Sequence, residues 1–142
     1  MTALSNMPAQ AMLPLGAYDL DDLLRNAGRS SQRVLRAEFS GAPDKKAVMA
    51  RLADGFSLPS FFGGNLDALY DCLTDMEPAP GSDQPGFVVI LQGLPETKEF
   101  DRDKRDELLD VFREAADYFY DKGVAFRVFY SVDHARAARS AA

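Results

Sequence analysis

Three aspartates define the chemistry open to this sequence. Asp67, Asp71 and Asp75 recur at i, i+4 and i+8 within LDALYDCLTDM, a spacing that lines them up along one side of a helix. They sit in a longer acidic tract. Between Leu52 and Thr97 stand seven acidic residues (Asp54, Asp67, Asp71, Asp75, Glu77, Asp83 and Glu96) and no Lys or Arg. The rest of the chain carries 16 basic and 15 acidic side chains, so the net charge of −6 arises in this third of the sequence. Like charges at i, i+4 cost a helix about 0.2–0.5 kcal/mol per pair, and no base on the same helix relieves them. Asp67 falls in the first turn, where the helix dipole welcomes an anion, and alone it needs no function. The dipole gives no such welcome to Asp71 in the middle, and it opposes Asp75 near the end. Acidic surfaces also serve solubility, but the placement of Asp71 and Asp75 favours a functional stripe. Its chemistry suits a cationic protein partner. Asp67 and Asp71, one turn apart, offer a second reading as a magnesium-binding or acid–base pair of an enzyme. That reading lacks a nearby base to hold a phosphate substrate, and it puts the pair on a convex helix rather than in a cleft.

Composition narrows the field further. A chain of 142 residues and 15.6 kDa fits one compact domain, and 46% hydrophobic with 27% charged residues is an ordinary globular balance. A sequence pI near 4.7 works against nucleic acid and anionic membranes as partners. One cysteine, Cys72, excludes an internal disulfide, and one histidine, His134, excludes a clustered His/Cys metal site. No apolar run approaches a membrane span. The opening MTALSNMPAQAMLPLGAY lacks both a positive n-region and a sustained apolar core, so no export signal is read and the expected location is the cytoplasm.

The elements that must position the stripe follow from periodicity. Residues 1–32 read as an N-terminal extension: a flexible lead-in over 1–17, then a short helix with Asp19 as cap, Leu20, Leu23, Leu24 and Ala27 at helical spacing and Gly28 after them. RVLRAEFS, residues 33–40, reads as a strand. Asp44 caps a helix to about Ala53 that Gly55 closes. LPSFFGG, residues 58–64, is a loop, with Pro59 blocking a helix and two glycines permitting positive φ. Gly63-Gly64 before a helix lacks the lysine of a phosphate-binding loop and reads as a turn hinge, and Phe61 and Phe62 divide between core and surface. Asn65 then caps a helix from Leu66 to about Met76. Its apolar arc is Leu66, Leu69, Cys72, Leu73 and Met76, which makes Cys72 a buried structural thiol. Pro78, Pro80, Gly81, Pro85 and Gly86 break the chain. FVVIL, residues 87–91, is apolar throughout, as in a strand buried on both faces. A long helix over 103–122 and a strand AFRVFY, residues 125–130, complete the domain, leaving 132–142 as a flexible tail. Strands separated by helices imply an α/β fold, a small three-stranded parallel sheet packed with helices.

LPSFFGGNLDALYDCLTDM, residues 58–76, closely resembles the signature of the barstar family, bacterial intracellular ribonuclease inhibitors, and VFREA, residues 111–115, resembles a second family segment. The resemblance extends over about residues 33–131. It implies a barstar-like domain and a non-catalytic protein without cofactor or metal, monomeric until it forms a 1:1 heterodimer with a basic, secreted-type ribonuclease. Carried over position by position, Asp71 stands in for the substrate phosphate in the cationic RNA-cleaving site. Asp67 supports it, and Glu114 is an outlying acidic contact. Phe61, Tyr70, Thr74 and Met76 lie in the partner-binding surface, with Gly63 and Asn65 offering close backbone or amide contacts. Phe61 stands where the family carries a tyrosine, Tyr70 and Met76 where its prototype carries tryptophans, and Asp75 where it carries a glycine. The alternatives are a barstar-fold interaction module for a cationic protein that is not a nuclease, and the carboxylate-based, metal-dependent enzyme.

Overall fold

A computed structural model of the chain describes residues 4–59 and 64–133. The expectations for Phe61, Phe62 and Gly63, and for the tail from His134, lie outside these residues. In chain order the elements are β1 (Gln10–Pro14), α1 (Leu20–Arg29), β2 (Arg33–Glu38), α2 (Lys45–Phe56), α3 (Leu66–Thr74), β3 (Gly86–Leu94), α4 (Arg102–Tyr120) and β4 (Ala125–Val132), with short 3-10 turns at Leu4–Asn6 and Leu15–Ala17. The fold is α/β with a parallel sheet, as expected, but the sheet has four strands in the order β1-β4-β3-β2, not three. The added strand lies in the stretch read as a flexible lead-in. Residues 10–14 pair in register with 126–130, more than a hundred positions away. QAMLP has no period-two pattern and ends in proline, which an edge strand tolerates because one of its sides needs no donor. No local signal announces such a strand. The Gln10 side-chain amide also donates to the Asp117 carboxylate, tying β1 to α4.

Both faces of the sheet are covered. On one, Leu35, Ala37, Phe87, Val89, Leu91, Phe126 and Val128 pack against α2, α3 and α4. Phe119 stacks on Phe126 with ring centres 5.5 Å apart, and Phe56 of α2 meets Phe112 of α4 edge-on at 6.2 Å. On the other, Val88, Ile90 and Phe129 pack against Leu23 and Ala27 of α1 and against Leu4, Met7 and Leu15. Tyr18 meets Phe129 edge-on at 5.3 Å. Phe87 to Leu91 are 0% exposed, which accounts for the uninterrupted apolar run: alternate side chains enter opposite layers. The N-terminal extension supplies the second layer.

The helix α2 ends differently from the sequence reading. It runs through Gly55 to Phe56, and Ser57 takes the left-handed conformation at φ 54° and ψ 49°. Gly55 is there for proximity rather than as a stop. A Cβ on it would collide with the Arg36 carbonyl oxygen and lie 2.9 Å from Ala37 Cα, so α2 packs directly on the β2 backbone. The helix α3 is likewise shorter than expected, with Asp75 as its C-cap and Met76 beyond it.

Candidate functional site

The acidic helix begins at a well-defined cap. Gly64 adopts φ +71°, and the Asn65 side-chain oxygen accepts from Ala68 N at 2.7 Å, satisfying one of the free N–H groups of the first turn. That oxygen keeps one lone pair, and the side-chain NH2 and backbone of Asn65 are also open to a partner. Leu69 and Leu73 are fully buried against the core, with Leu66, Tyr70 and Met76 half-buried beside them. The Thr74 hydroxyl donates back to the Tyr70 carbonyl at 2.9 Å, so its donor is spent within the helix and it can meet a partner only as an acceptor.

At about 100° per residue, Cys72, Ala68, Asp75 and Asp71 follow one another around one flank of α3, while Tyr70, Thr74 and Asp67 take the other. The first flank lines a groove of about 500 Å³. Ala68, Asp71, Cys72 and Asp75 form the α3 wall, Met76 and Glu77 continue it, and Phe56, Ser57, Pro59 and Arg33 close the opposite side. Of the site residues expected from sequence, Asp71 and Met76 reach this groove. Asp67 is exposed in the first turn, and Glu114 is exposed on α4. Phe61 and Gly63 lie outside the described residues. The expectation of a buried Cys72 is corrected: the thiol is half-buried on the groove wall, because it stands at the margin of the apolar arc. Burial pushes its pKa up, and the Asp75 and Asp71 carboxylates push it further in the same direction.

Arg33, Phe56, Ser57, Pro59 and Glu77 escaped the sequence reading of the site. Arg33 matters most, because the acidic tract holds no base of its own and the enzyme reading was discounted for want of one nearby. The first residue of β2 supplies that base: Arg33 Nη1 donates to the Glu77 carbonyl oxygen at 2.8 Å. It forms no ion pair with a carboxylate among the described residues. Among the described residues Asp71, Asp75 and Glu77 take part in no ion pair, and no three His, Cys, Asp or Glu side chains gather as a metal would require. The groove thus combines an apolar lining (Phe56, Ala68, Met76) with three carboxylates outside any ion pair and one cation, Arg33.

Residues 32–131 match the family model described as Barstar (barnase inhibitor). Over 71 residues, half of this chain and 71% of the other, the sequence is 31% identical to the Bacillus subtilis (strain 168) protein named "Putative ribonuclease inhibitor YrdF". The chain belongs to the barstar family.

Proposed function

We propose that this member of the barstar family inhibits a basic ribonuclease, with the groove flank of α3 covering the enzyme's cationic RNA-cleaving site and Asp71 occupying the place of the substrate phosphate. The observation that carries this reading is the excess of acid over base around the α3 groove: Asp71, Asp75 and Glu77 form no ion pair among the described residues and stand against the single cation Arg33. A ribonuclease must present cations to hold RNA, and a rigid carboxylate can satisfy those cations without offering a bond to cleave. Family membership and the similarity to a protein named as a ribonuclease inhibitor support it. The complex is 1:1, forms in the cytoplasm of the producing cell, and involves no catalysis by this chain. Apolar contact comes from Met76 at the groove and from Tyr70 on the other flank, and Glu114 contributes a distant charge.

The test is RNA cleavage by a basic ribonuclease, titrated with wild type, Asp71→Asn and Glu114→Gln. Removing one side of a buried, charge-assisted pair costs about 2–5 kcal/mol. Asp71→Asn should therefore weaken inhibition by about 30-fold or more, and Glu114→Gln by less than about fivefold. RNA should compete with the inhibitor, and association should slow by about tenfold or more between low and half-molar salt. Equal losses from the two variants, or inhibition that excess RNA leaves untouched, would remove the phosphate-mimic mechanism. Tight binding without inhibition would favour a cationic partner that is not a nuclease.

A further inference from the structure

A second cavity, of about 520 Å³, opens at the amino ends of β2, β3 and β4, and it shares no lining residue with the α3 groove. Gln32, Pro85 and Val124 mark the strand entries, and Arg127 of β4 reaches it from the sheet. Arg127 alternates with Phe126 and Val128, which face α4, so it shares the opposite face with Val88, Ile90 and Phe129, an otherwise apolar layer. It is 8% exposed. Its Nη2 donates to the Met7 carbonyl at 3.3 Å, while its Nε is buried with no acceptor. Gln32, also 8% exposed, donates through Nε2 to the Gln84 carbonyl at 2.8 Å and the Ser30 carbonyl at 3.2 Å, while its Oε1 is buried with no donor. Two side chains more than nine-tenths buried therefore line one cavity, one with an unmet donor, Arg127 Nε, and one with an unmet acceptor, Gln32 Oε1, of which an oxyanion can meet only the donor.

An unpaired buried cation is among the costliest groups a fold can carry. Burial alone draws the Arg127 pKa down, and among the described residues no carboxylate forms an ion pair with it. Asp83 also lines the cavity but is exposed. Water could meet a stray N–H, yet it brings no counter-charge. An oxyanion would supply both the acceptor and the charge, and a guanidinium presents the fork of donors that carboxylate and phosphate match. The remaining lining is largely apolar, with Leu4 and Val124 on the wall and the Tyr120 ring 57% exposed. The volume lies within the range of small-molecule sites.

We infer that this cavity binds a small organic oxyanion, a carboxylate or a phosphate monoester, whose charged end meets Arg127 and whose apolar body lies against Leu4, Val124 and Tyr120. The site is separate from the inhibitor surface and does not depend on that function.

The test uses the full chain and nitrogen-15 spectra, in which the Arg127 Nε–H and the Gln32 side-chain amide are observed directly. Benzoate and phenyl phosphate are the probes, and benzyl alcohol is the uncharged control. At least one anion should shift both signals to saturation while the alcohol does not. Whichever anion saturates identifies the head group. Arg127→Met, which keeps an apolar stem in the layer, should weaken binding by about tenfold or more. If that variant does not fold, Tyr120→Ser, altered at an exposed side chain, should still weaken binding by about threefold or more. Signals unmoved by either anion, a response to the alcohol equal to that of the anions, or affinity unchanged in the variants would show a cavity holding water alone and would overturn the inference.

Discussion

Arg33 Nη1 donates to the Glu77 carbonyl oxygen at 2.8 Å, linking the first residue of β2 to the chain just beyond α3. The neighbouring turn repeats the pattern: Ser82 Oγ donates to the Ser30 carbonyl at 2.8 Å, and Gln32 Nε2 to the Gln84 carbonyl. The connection from α3 to β3 is thus held along its length by residues 30–33, mostly through backbone carbonyls. The Arg33 guanidinium is held by a neutral carbonyl and forms no ion pair, so it fixes the end of the acidic helix while offsetting at most one of the three carboxylates around the groove.

That arrangement separates the acidic flank from folding. Asp71 and Asp75 are exposed and repel each other, and Asp75 caps the helix at its negative end. Asp71→Ala and Asp75→Ala should each leave the thermal midpoint unchanged or raise it, by up to about 3 °C. A marked fall in scanning calorimetry for Asp71→Ala would reveal a structural partner and count against its role in binding.

Cys72 reports the same field. Its raised pKa reduces the thiolate present at a given pH, so alkylation by iodoacetamide should reach half its limiting rate at a higher pH than for an unburied cysteine. Asp75→Asn should move that midpoint down, because it removes one of the charges opposing the thiolate, and Asp71→Asn should move it down by less. A profile unmoved by either change would leave burial as the only cause.

Two positions at the C-terminal end of α2 should respond with opposite signs. Gly55→Ala forces a methyl into the Arg36 and Ala37 backbone and should cost about 1–3 kcal/mol. Ser57→Gly relieves a left-handed conformation and should add about 0.5–1 kcal/mol. Urea midpoints for the two variants measure both effects, and a neutral Gly55→Ala would mean that the helix can draw back from the strand.

Leu23 tests whether the N-terminal extension is an integral layer. It is 2% exposed and packs with Val88, Ile90 and Phe129, so Leu23→Ala should cost about 2–5 kcal/mol in a single unfolding transition. Arg25→Ala, exposed on the same helix, should change stability by less than about 0.5 kcal/mol. A separate early transition, or an unchanged midpoint, would show that the extension is only loosely docked.

Local pattern determined most of the elements. The spacing of Leu20, Leu23 and Ala27 marks α1. The Asp44 and Asn65 side chains sit where the α2 and α3 caps are found, accepting from Ala47 N and Ala68 N. The apolar run from Phe87 to Leu91 is the doubly buried β3, and the acidic stripe with the motif around it was enough to indicate the family. Each of these signals operates over a few residues, where helical or extended periodicity and capping chemistry are written directly into residue types. Tertiary structure decided what depends on distant partners. Gln10–Pro14 is a strand only because β4 offers an open edge, and Gly55 is required only because β2 lies beneath it. Arg33 reaches Glu77 across 44 positions of sequence, and Arg127 is buried where segments around Met7, Gln32, Val88 and Val124, far apart in sequence, come together. The acidic helix was legible, but the groove beside it was not. A helix face is set by about 100° per residue, whereas a groove is set by whatever the rest of the fold brings alongside.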